Sequence, residues 1–153
     1  MQERFETFTV LINRISRDIR KIKNQEMAAY HLRSAHVSCL YYVYSLGSVT
    51  SAELCEHCEE DKATISRAVD YLETNGFLLR DTGAKRYKSP LFLTDKGRDA
   101  GKRIAEKIGG VLDTVSRDLT EDERAVFYRS LSIISSSLEA IAKDRKDKEI
   151  RVN

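Results

Sequence analysis

The sequence has 153 residues, of which 41% are hydrophobic and 33% charged, and its net charge is +2. A chain of this length and composition folds as one globular protomer and does not stay disordered. No apolar run approaches the roughly 20 residues that span a bilayer, and the charged N-terminus lacks the apolar core of a signal peptide. These features predict a cytoplasmic protein without a membrane partner.

The first third of the chain predicts two helices. Residues 4–23 repeat apolar side chains every three or four positions, which is the helical period. Residues 24–33 are less regular and predict a connection. Ser34 is expected to cap a second helix that ends at Gly47, because a glycine commonly follows a helix. The expected buried face of that helix is Val37, Leu40, Val43 and Leu46.

Two capping patterns precede the next pair of helices. Thr50 and Glu53 form a capping box, which predicts a short helix over residues 51–58. Asp61 is expected to cap a fourth helix over residues 62–75, which the following glycine would end. The expected buried residues of the fourth helix are Ile65, Ala68, Val69 and Leu72.

A hairpin follows the fourth helix. Residues 77–79 and 91–93 predict short strands, and the turn between them is polar and basic. Pro90 suits the start of an edge strand because no backbone donor is needed there.

Two long helices complete the pattern. Thr94 is expected to cap a fifth helix that reaches Val115 and contains Gly109-Gly110, which should weaken it locally. A second capping box begins at Thr120 and opens the last helix. From Lys143 the mixed-charge tail is expected to fray. The apolar face of the last helix is Val126, Phe127, Leu131, Ile134, Leu138 and Ile141.

Two short capped helices in succession predict a helix-turn-helix, and the hairpin after them makes it a winged helix. The start of the second helix offers cations, hydroxyls and a methyl group, which suit phosphates and base edges of double-stranded DNA. The basic wing could reach a flanking phosphate or the minor groove. For Thr64 and Ser66 the alternative to DNA contact is an ordinary solvated helix surface. Residues 61–103 hold ten basic and six acidic residues, an excess of +4 that suits a polyanion. The predicted DNA contacts are Lys62, Ala63, Thr64, Ser66, Arg67, Lys85, Arg86 and Lys88.

Three stretches resemble the MarR family of bacterial and archaeal regulators. They are Thr50-Ser-Ala-Glu-Leu, then Asp61 through Phe77, and Leu93-Thr-Asp-Lys-Gly97. The flanking helices are similar to the family's in order and length. The resemblance implies a mainly α fold with a small two- or three-stranded wing, in which long N- and C-terminal dimerisation helices flank the winged helix-turn-helix.

Two positions depart from the family's pattern. His36 stands where glutamine is common. The wing run reads Lys85-Arg86-Tyr87 where the family usually has Asp-Arg-Arg, so the aspartate that helps to hold an arginine is missing. Tyr87 is expected either to contact DNA or to pack back on the hairpin.

The resemblance also implies a domain organisation and an assembly. Residues 1–33 would form the N-terminal dimerisation helix and connection, 34–97 the DNA-binding lobe, 98–145 the C-terminal dimerisation helices and 146–153 a charged tail. A homodimer would place two recognition helices about 34 Å apart on a palindromic operator, typically as a repressor. The sequence agrees independently, because the long helices carry more apolar surface than one small winged helix can cover.

Family members often bind a small aromatic or lipophilic ligand between the dimerisation helices and the DNA-binding lobe. The residues of this chain that cluster near that region are Tyr41, Tyr42, Tyr44 and His36.

Three cysteines raise the question of metal or redox chemistry. The spacing of Cys55 and Cys58 invites zinc, but a second pair of ligands is missing nearby. We therefore predict no metal and no cofactor, and we expect Cys55 to be a small buried residue. Some family members sense oxidants through cysteine, and Cys58, beside Lys62, is the candidate redox thiol here.

Two other classes of function compete with DNA binding. One is a winged helix used only for protein association, which the basic wing and hydroxyl-rich helix disfavour. The other is an enzyme, but the sequence shows no nucleophile–base pair, phosphate loop or paired carboxylates at useful spacing. The histidines at 31, 36 and 57 form no obvious site.

Overall fold

The computed structural model describes residues 2–58, 60–81, 83 and 87–152. Within them the chain divides into two compact units, Met1–Gly109 and Gly110–Asn153. The element order is α1 (Gln2–Glu26), a 3-10 turn (Ala28–Tyr30), α2 (Ser34–Leu46), α3 (Ser51–Cys58), α4 (Lys62–Thr74), β1 (Leu78–Arg80), β2 (Leu91–Leu93), α5 (Asp95–Val115) and α6 (Glu121–Val152). This order confirms the predicted mainly α fold with a small wing.

The core of the first unit lies where α2, α3 and α4 pack against one another and against the wing strands. Burying a large aliphatic side chain stabilises a fold by about 1.5–3 kcal/mol. The side chains that are fully buried here include Leu40, Val43, Leu54, Ile65, Leu72, Leu78, Leu91 and Ile104.

The wing is a two-stranded antiparallel sheet. Leu78 pairs with Leu93, and Leu79 pairs with Phe92. An isolated bridge adds Val49, whose carbonyl accepts the Leu91 N–H at 2.8 Å. The wing therefore has two strands and a single bridging residue of a third, within the predicted range of two or three.

A tight junction joins the end of α4 to the start of α5. The Thr94 hydroxyl donates to the Gly76 carbonyl at 2.6 Å and accepts the Gly97 N–H at 3.0 Å, which confirms Thr94 as the cap of α5. A β-carbon on Gly97 would lie 1.9 Å from the Phe77 carbonyl oxygen. Only glycine lets α5 approach the strand this closely.

Both predicted capping boxes are confirmed. Thr50 and Glu53 exchange bonds, since Glu53 accepts the Thr50 N–H at 2.7 Å and Thr50 accepts the Glu53 N–H at 3.2 Å. Thr120 and Glu123 form the same reciprocal box. Gly47 and Gly76 take positive φ angles of 84° and 73° after α2 and α4, as glycine at a helix end allows.

The prediction for α2 is wrong in two details. Arg33 takes the N-cap position, and Ser34 is the first helical residue. The Ser34 N–H donates to the Asn24 side chain at 2.8 Å. A residue of α1 therefore supplies an acceptor at the start of α2, where the Ser34 hydroxyl was expected to do so. Leu46 is 53% exposed, and Cys39 is buried with the rest of the inner face.

Several element ends also differ from the predictions, among them the end of α4, which is Thr74 and not residue 75. α1 extends to Glu26, and β1 begins one residue later than expected, at Leu78. α6 continues to Val152 and does not fray from Lys143. Lys143 pairs with Glu139 at a spacing of four residues, which supports the helix at that point.

Each compact unit leaves apolar side chains in solvent. On α1, Phe8, Ile12, Ile15 and Ile19 are 38–50% exposed. The second unit exposes Leu112, Val115, Val126, Phe127, Leu138 and Ile141. No helix among the described residues is long and apolar enough to cross a membrane.

Two glycine substitutions test the packing at the junction. Gly97→Ala should destabilise the protein by about 1–3 kcal/mol, because the new methyl group overlaps a backbone carbonyl that the sheet holds in place. Gly109→Ala is the matched control, since nothing lies within 4 Å of its β-carbon, and it should stabilise the helix by up to about 1 kcal/mol. Urea unfolding at one protein concentration measures both; equal effects would contradict the close approach at Gly97.

Candidate nucleic-acid interface

The start of α4 is organised by one carboxylate. Asp61 accepts the Thr64 N–H at 2.8 Å through one oxygen, which confirms it as the N-cap. Its other oxygen accepts the Thr64 hydroxyl at 2.8 Å, and that hydroxyl in turn accepts from Arg67 at 3.3 Å. The bonds from Thr64 lower the pKa of Asp61. Thr64 and Arg67 are thus held in one network at the exposed helix end.

α4 separates its two faces cleanly. Ile65, Ala68, Val69 and Leu72 are buried, as predicted. Lys62, Ala63, Ser66 and Arg67 are exposed, and Thr64 is half-buried. Five of the sequence-predicted contact residues therefore lie together on the outer side of the first two turns.

The predicted wing contacts are only partly visible. Lys85 and Arg86 lie outside the described residues, whereas Lys88 is exposed. Among the described residues Tyr87 contacts Lys62 of α4 and Cys55 of α3. Its ring lies under the Lys62 ammonium, 4.4 Å from the centroid, and its hydroxyl donates to the Cys55 sulfur at 3.7 Å.

An ion pair that sequence reasoning missed ties β1 to α4. Arg80 donates to both carboxylate oxygens of Glu73, each at 2.9 Å. The two side chains are only 13% and 22% exposed, and a bidentate pair of this kind fixes geometry as well as charge. The available signal was an acid in the last turn of a helix followed by an arginine in the next strand.

A cavity of about 200 Å³ lies between α4 and the wing. Because it opens beside the exposed start of α4, the surface around it is concave and bears both cationic and hydroxyl groups. Its lining residues are Ser51, Lys62, Ser66, Val69, Asp70, Arg80 and Tyr87.

The four candidate ligand residues occupy different surroundings. His36 accepts the Arg33 N–H at 3.1 Å and stacks on Tyr71 with ring centroids 4.3 Å apart. Burial, aided by the positive charge of Arg33, lowers the pKa of His36. Tyr42 meets Tyr41 edge-on at 5.4 Å and stacks on His57 at 5.1 Å.

Tyr44 lies apart from these rings. It lines an open groove of about 580 Å³ between α2, β2 and α5, with Phe92, Arg98 and Lys102 among the other lining residues.

The cysteines differ in burial from the prediction. Cys39 is fully buried, whereas Cys55, which was expected to be buried, is half-buried. The Cys55 sulfur accepts a hydrogen bond from the Tyr87 hydroxyl. The Cys39 thiol donates to Cys58, and this bond lowers the pKa of Cys58, with the charge of Lys23 as a further cause. Among the described residues no three histidine, cysteine or acidic side chains converge as metal ligands.

The fold and the exposed helix start define a winged helix-turn-helix protein. A family model described as MarR matches residues 32–83, which covers α2, α3, α4 and the first strand. This part of the chain is therefore similar to the MarR family.

A curated relative and several solved structures are similar to this chain over most of its length. An uncharacterised HTH-type transcriptional regulator of Bacillus subtilis, YwoH, is 24% identical over 116 residues, which cover 76% of this chain and 85% of YwoH. The MarR family regulator NMB1585 from Neisseria meningitidis is 20% identical and matches 93% of this chain and 98% of its own, with a TM-score of 0.79. MepR of S. aureus, solved in a complex with DNA, is 19% identical and matches 87% of this chain and 97% of its own, with a TM-score of 0.77.

The cap of α4 makes a pH-dependent prediction. Because folding lowers the pKa of Asp61, its contribution to stability is present above about pH 4, the ordinary range of an aspartate, and disappears as the pH falls through the folded value. Asp61→Ala should lower the urea midpoint at pH 7, and Asp61→Asn, which keeps an acceptor, should lower it less.

Urea unfolding of the wild type and both variants between pH 3 and pH 7 measures this effect. The difference between the wild type and Asp61→Asn should shrink below about pH 4. A difference that stays constant across this range would show that the carboxylate charge does not contribute to the cap.

Proposed function

We propose that this protein is a sequence-specific DNA-binding regulator that represses transcription as a homodimer on a palindromic operator. The observation that carries the proposal is the outer side of α4, where Lys62, Thr64, Ser66 and Arg67 lie within two turns at an exposed, capped helix start. Recognition helices present this end to the major groove.

The side chains suggest separate roles. Arg67 carries a planar fork that can bond both acceptors of a guanine edge. The Ser66 hydroxyl and the Ala63 methyl can contact neighbouring base edges. Lys62 and Lys88 supply point charges for phosphates, and Lys85 and Arg86 are proposed for the same flanking contacts.

The similarity to MepR supports this proposal, because that protein was solved as a complex with DNA and its fold matches this chain over most of its length. The proposed organisation keeps the DNA-binding lobe at residues 34–97 between two sets of dimerisation helices. No enzymatic step is needed for such a regulator to act.

The exposed apolar faces support a homodimer. Phe8, Ile12, Ile15 and Ile19 form a continuous row on α1, and each is more than a third exposed. α6 carries a similar row in the second unit. Exposed apolar surface of this extent favours association, at roughly 25 cal/mol for each Å² that is removed from water. A second copy of the chain supplies the matching apolar surface.

We propose that DNA is released by a small aromatic or lipophilic ligand or by oxidation of Cys58. The groove beside Tyr44 suits an aromatic acid, because Phe92 offers an apolar wall while Arg98 and Lys102 offer two cations against the one carboxylate of Asp99. Cys58 is half-buried and has a lowered pKa, which favours the thiolate that oxidants attack.

The alternative is a winged helix that binds only other proteins. Selection of bound sequences from a random duplex pool, followed by affinity against salt, separates the two functions. Enrichment of a palindrome with half-sites about one turn apart supports the proposal. The absence of any salt-dependent DNA binding would favour protein association.

Two variants should weaken binding in different ways. Arg67→Ala should cost about 1–3 kcal/mol per half-site and relax specificity at one base pair, and Arg67→Lys should keep the charge but not the specificity. Lys88→Ala should weaken binding to all duplexes and lower the salt slope of the dimer by roughly two.

Fluorescence anisotropy with the selected duplex and single-base variants measures both effects. Lys143→Ala is the matched charge control, since Lys143 belongs to the second unit and pairs with Glu139. Unchanged affinity and specificity in the Arg67 and Lys88 variants would contradict the assigned contacts.

The homodimer makes its own prediction. Ile15→Glu should convert the protein to a monomer at micromolar concentration, because it places a charge in the middle of the apolar row on α1. Arg14→Glu changes the neighbouring exposed position and should leave the dimer intact. Sedimentation velocity distinguishes the outcomes, and a wild-type monomer would contradict the proposed assembly.

A further inference from the structure

Tyr87 belongs to the wing but contacts both helices of the helix-turn-helix. The Lys62 ammonium lies 4.4 Å from the centre of its ring, and its hydroxyl donates to the Cys55 sulfur at 3.7 Å. Tyr87 is 36% exposed, so part of its ring stays open to solvent beside these contacts. One aromatic residue therefore joins α3, the first residue of α4 and the chain segment that leads into β2.

The wing has a second attachment to α4, at the end of β1. Arg80, at the end of β1, forms the bidentate pair with Glu73 in the last turn of α4. Lys62 and Glu73 are separated by eleven residues of one helix, which corresponds to about 16 Å along its axis. Strand β1 is thus attached to the C-terminal end of α4 through Arg80, and the segment that leads into β2 is attached to its N-terminal end through Tyr87. The two contacts align the wing along the recognition helix.

The contact with Tyr87 also restricts Lys62. A free lysine side chain loses much rotamer entropy when it settles on a phosphate. A cation held over an aromatic face has already lost part of that freedom, while its remaining N–H groups stay available. Because Lys62 is exposed at the first position of α4, an ammonium held there faces the proposed DNA surface.

We propose that Tyr87 is a positioning residue of the DNA interface. Its ring holds the Lys62 ammonium for a phosphate contact. Its bond to Cys55 holds the segment that leads into β2, which includes Lys88, against α3. This role rests on the proposed function.

A double-mutant cycle tests the positioning role. Tyr87→Leu should weaken binding to the selected duplex roughly 5- to 20-fold for a dimer, as expected when an exposed cation–π contact is lost in each protomer. In the Lys62→Ala background the same change should have a clearly smaller effect. Tyr87→Phe keeps the ring over Lys62 but loses the bond to Cys55, so it should weaken binding, by less than Tyr87→Leu does.

The chain offers a matched control for this cycle. Lys96 lies 4.2 Å over the ring of Phe77, so it is a lysine–aromatic pair of the same lobe that is away from the start of α4. The effects of Tyr87→Leu and Lys96→Ala should therefore add. Circular dichroism confirms that each variant is folded before its affinity is compared.

A measurement on the free protein reports the contact without DNA. The ε-methylene protons of Lys62 should be shifted upfield by the ring current, and the shift should persist in Tyr87→Phe and vanish in Tyr87→Leu. Alkylation by iodoacetamide, mapped by mass spectrometry, should be faster at Cys55 in Tyr87→Leu than in the wild type. The reason is that the Tyr87 hydroxyl no longer covers the Cys55 sulfur.

The outcomes separate the two proposals. Coupling between Tyr87 and Lys62 together with the ring-current shift supports the positioning role. Additive effects overturn it, and tighter binding by Tyr87→Leu overturns it by showing that the ring withholds Lys62 from DNA. A wild type that shows the shift but binds no duplex overturns the proposed function itself, and the positioning role falls with it.

Discussion

The burial of one face of α4 is the constraint on which the rest of the structure depends. Ile65, Ala68, Val69 and Leu72 fix the rotation of the helix against α2 and α3. Once that rotation is fixed, the helical period sends Lys62, Ser66 and Arg67 outward. The chemistry of the exposed helix end is therefore a consequence of core packing, and a change in the core would turn these side chains away.

Around α4 the structure uses short-range bonds to fix what packing leaves free. Asp61 holds the helix start and, through Thr64, the position of Arg67. Glu73 holds Arg80 of β1 at the other end of the helix. These bonds attach the first wing strand to the recognition helix, which suits a surface that must match the regular spacing of phosphates.

Sequence reasoning was accurate where the governing interaction is local. The boxes at Thr50 and Thr120 and the cap at Asp61 each join residues three positions apart, so composition and spacing reveal them. It failed at Ser34, because the acceptor of the Ser34 N–H comes from Asn24 on another helix. It also failed at Leu46, which lies at the last position of α2, beyond the part of the helix that the core covers.

The sequence by itself determined the helical periods, the caps at Thr50, Asp61 and Thr120, the glycine-terminated helix ends and the resemblance to the MarR family. All of these follow from bonds and torsions within a few residues, or from a pattern of such residues. Only the tertiary structure decided that Tyr87 meets Cys55, 32 positions away, and that Glu73 pairs with Arg80. Such contacts depend on how packed elements bring distant side chains together, and no local period encodes that placement.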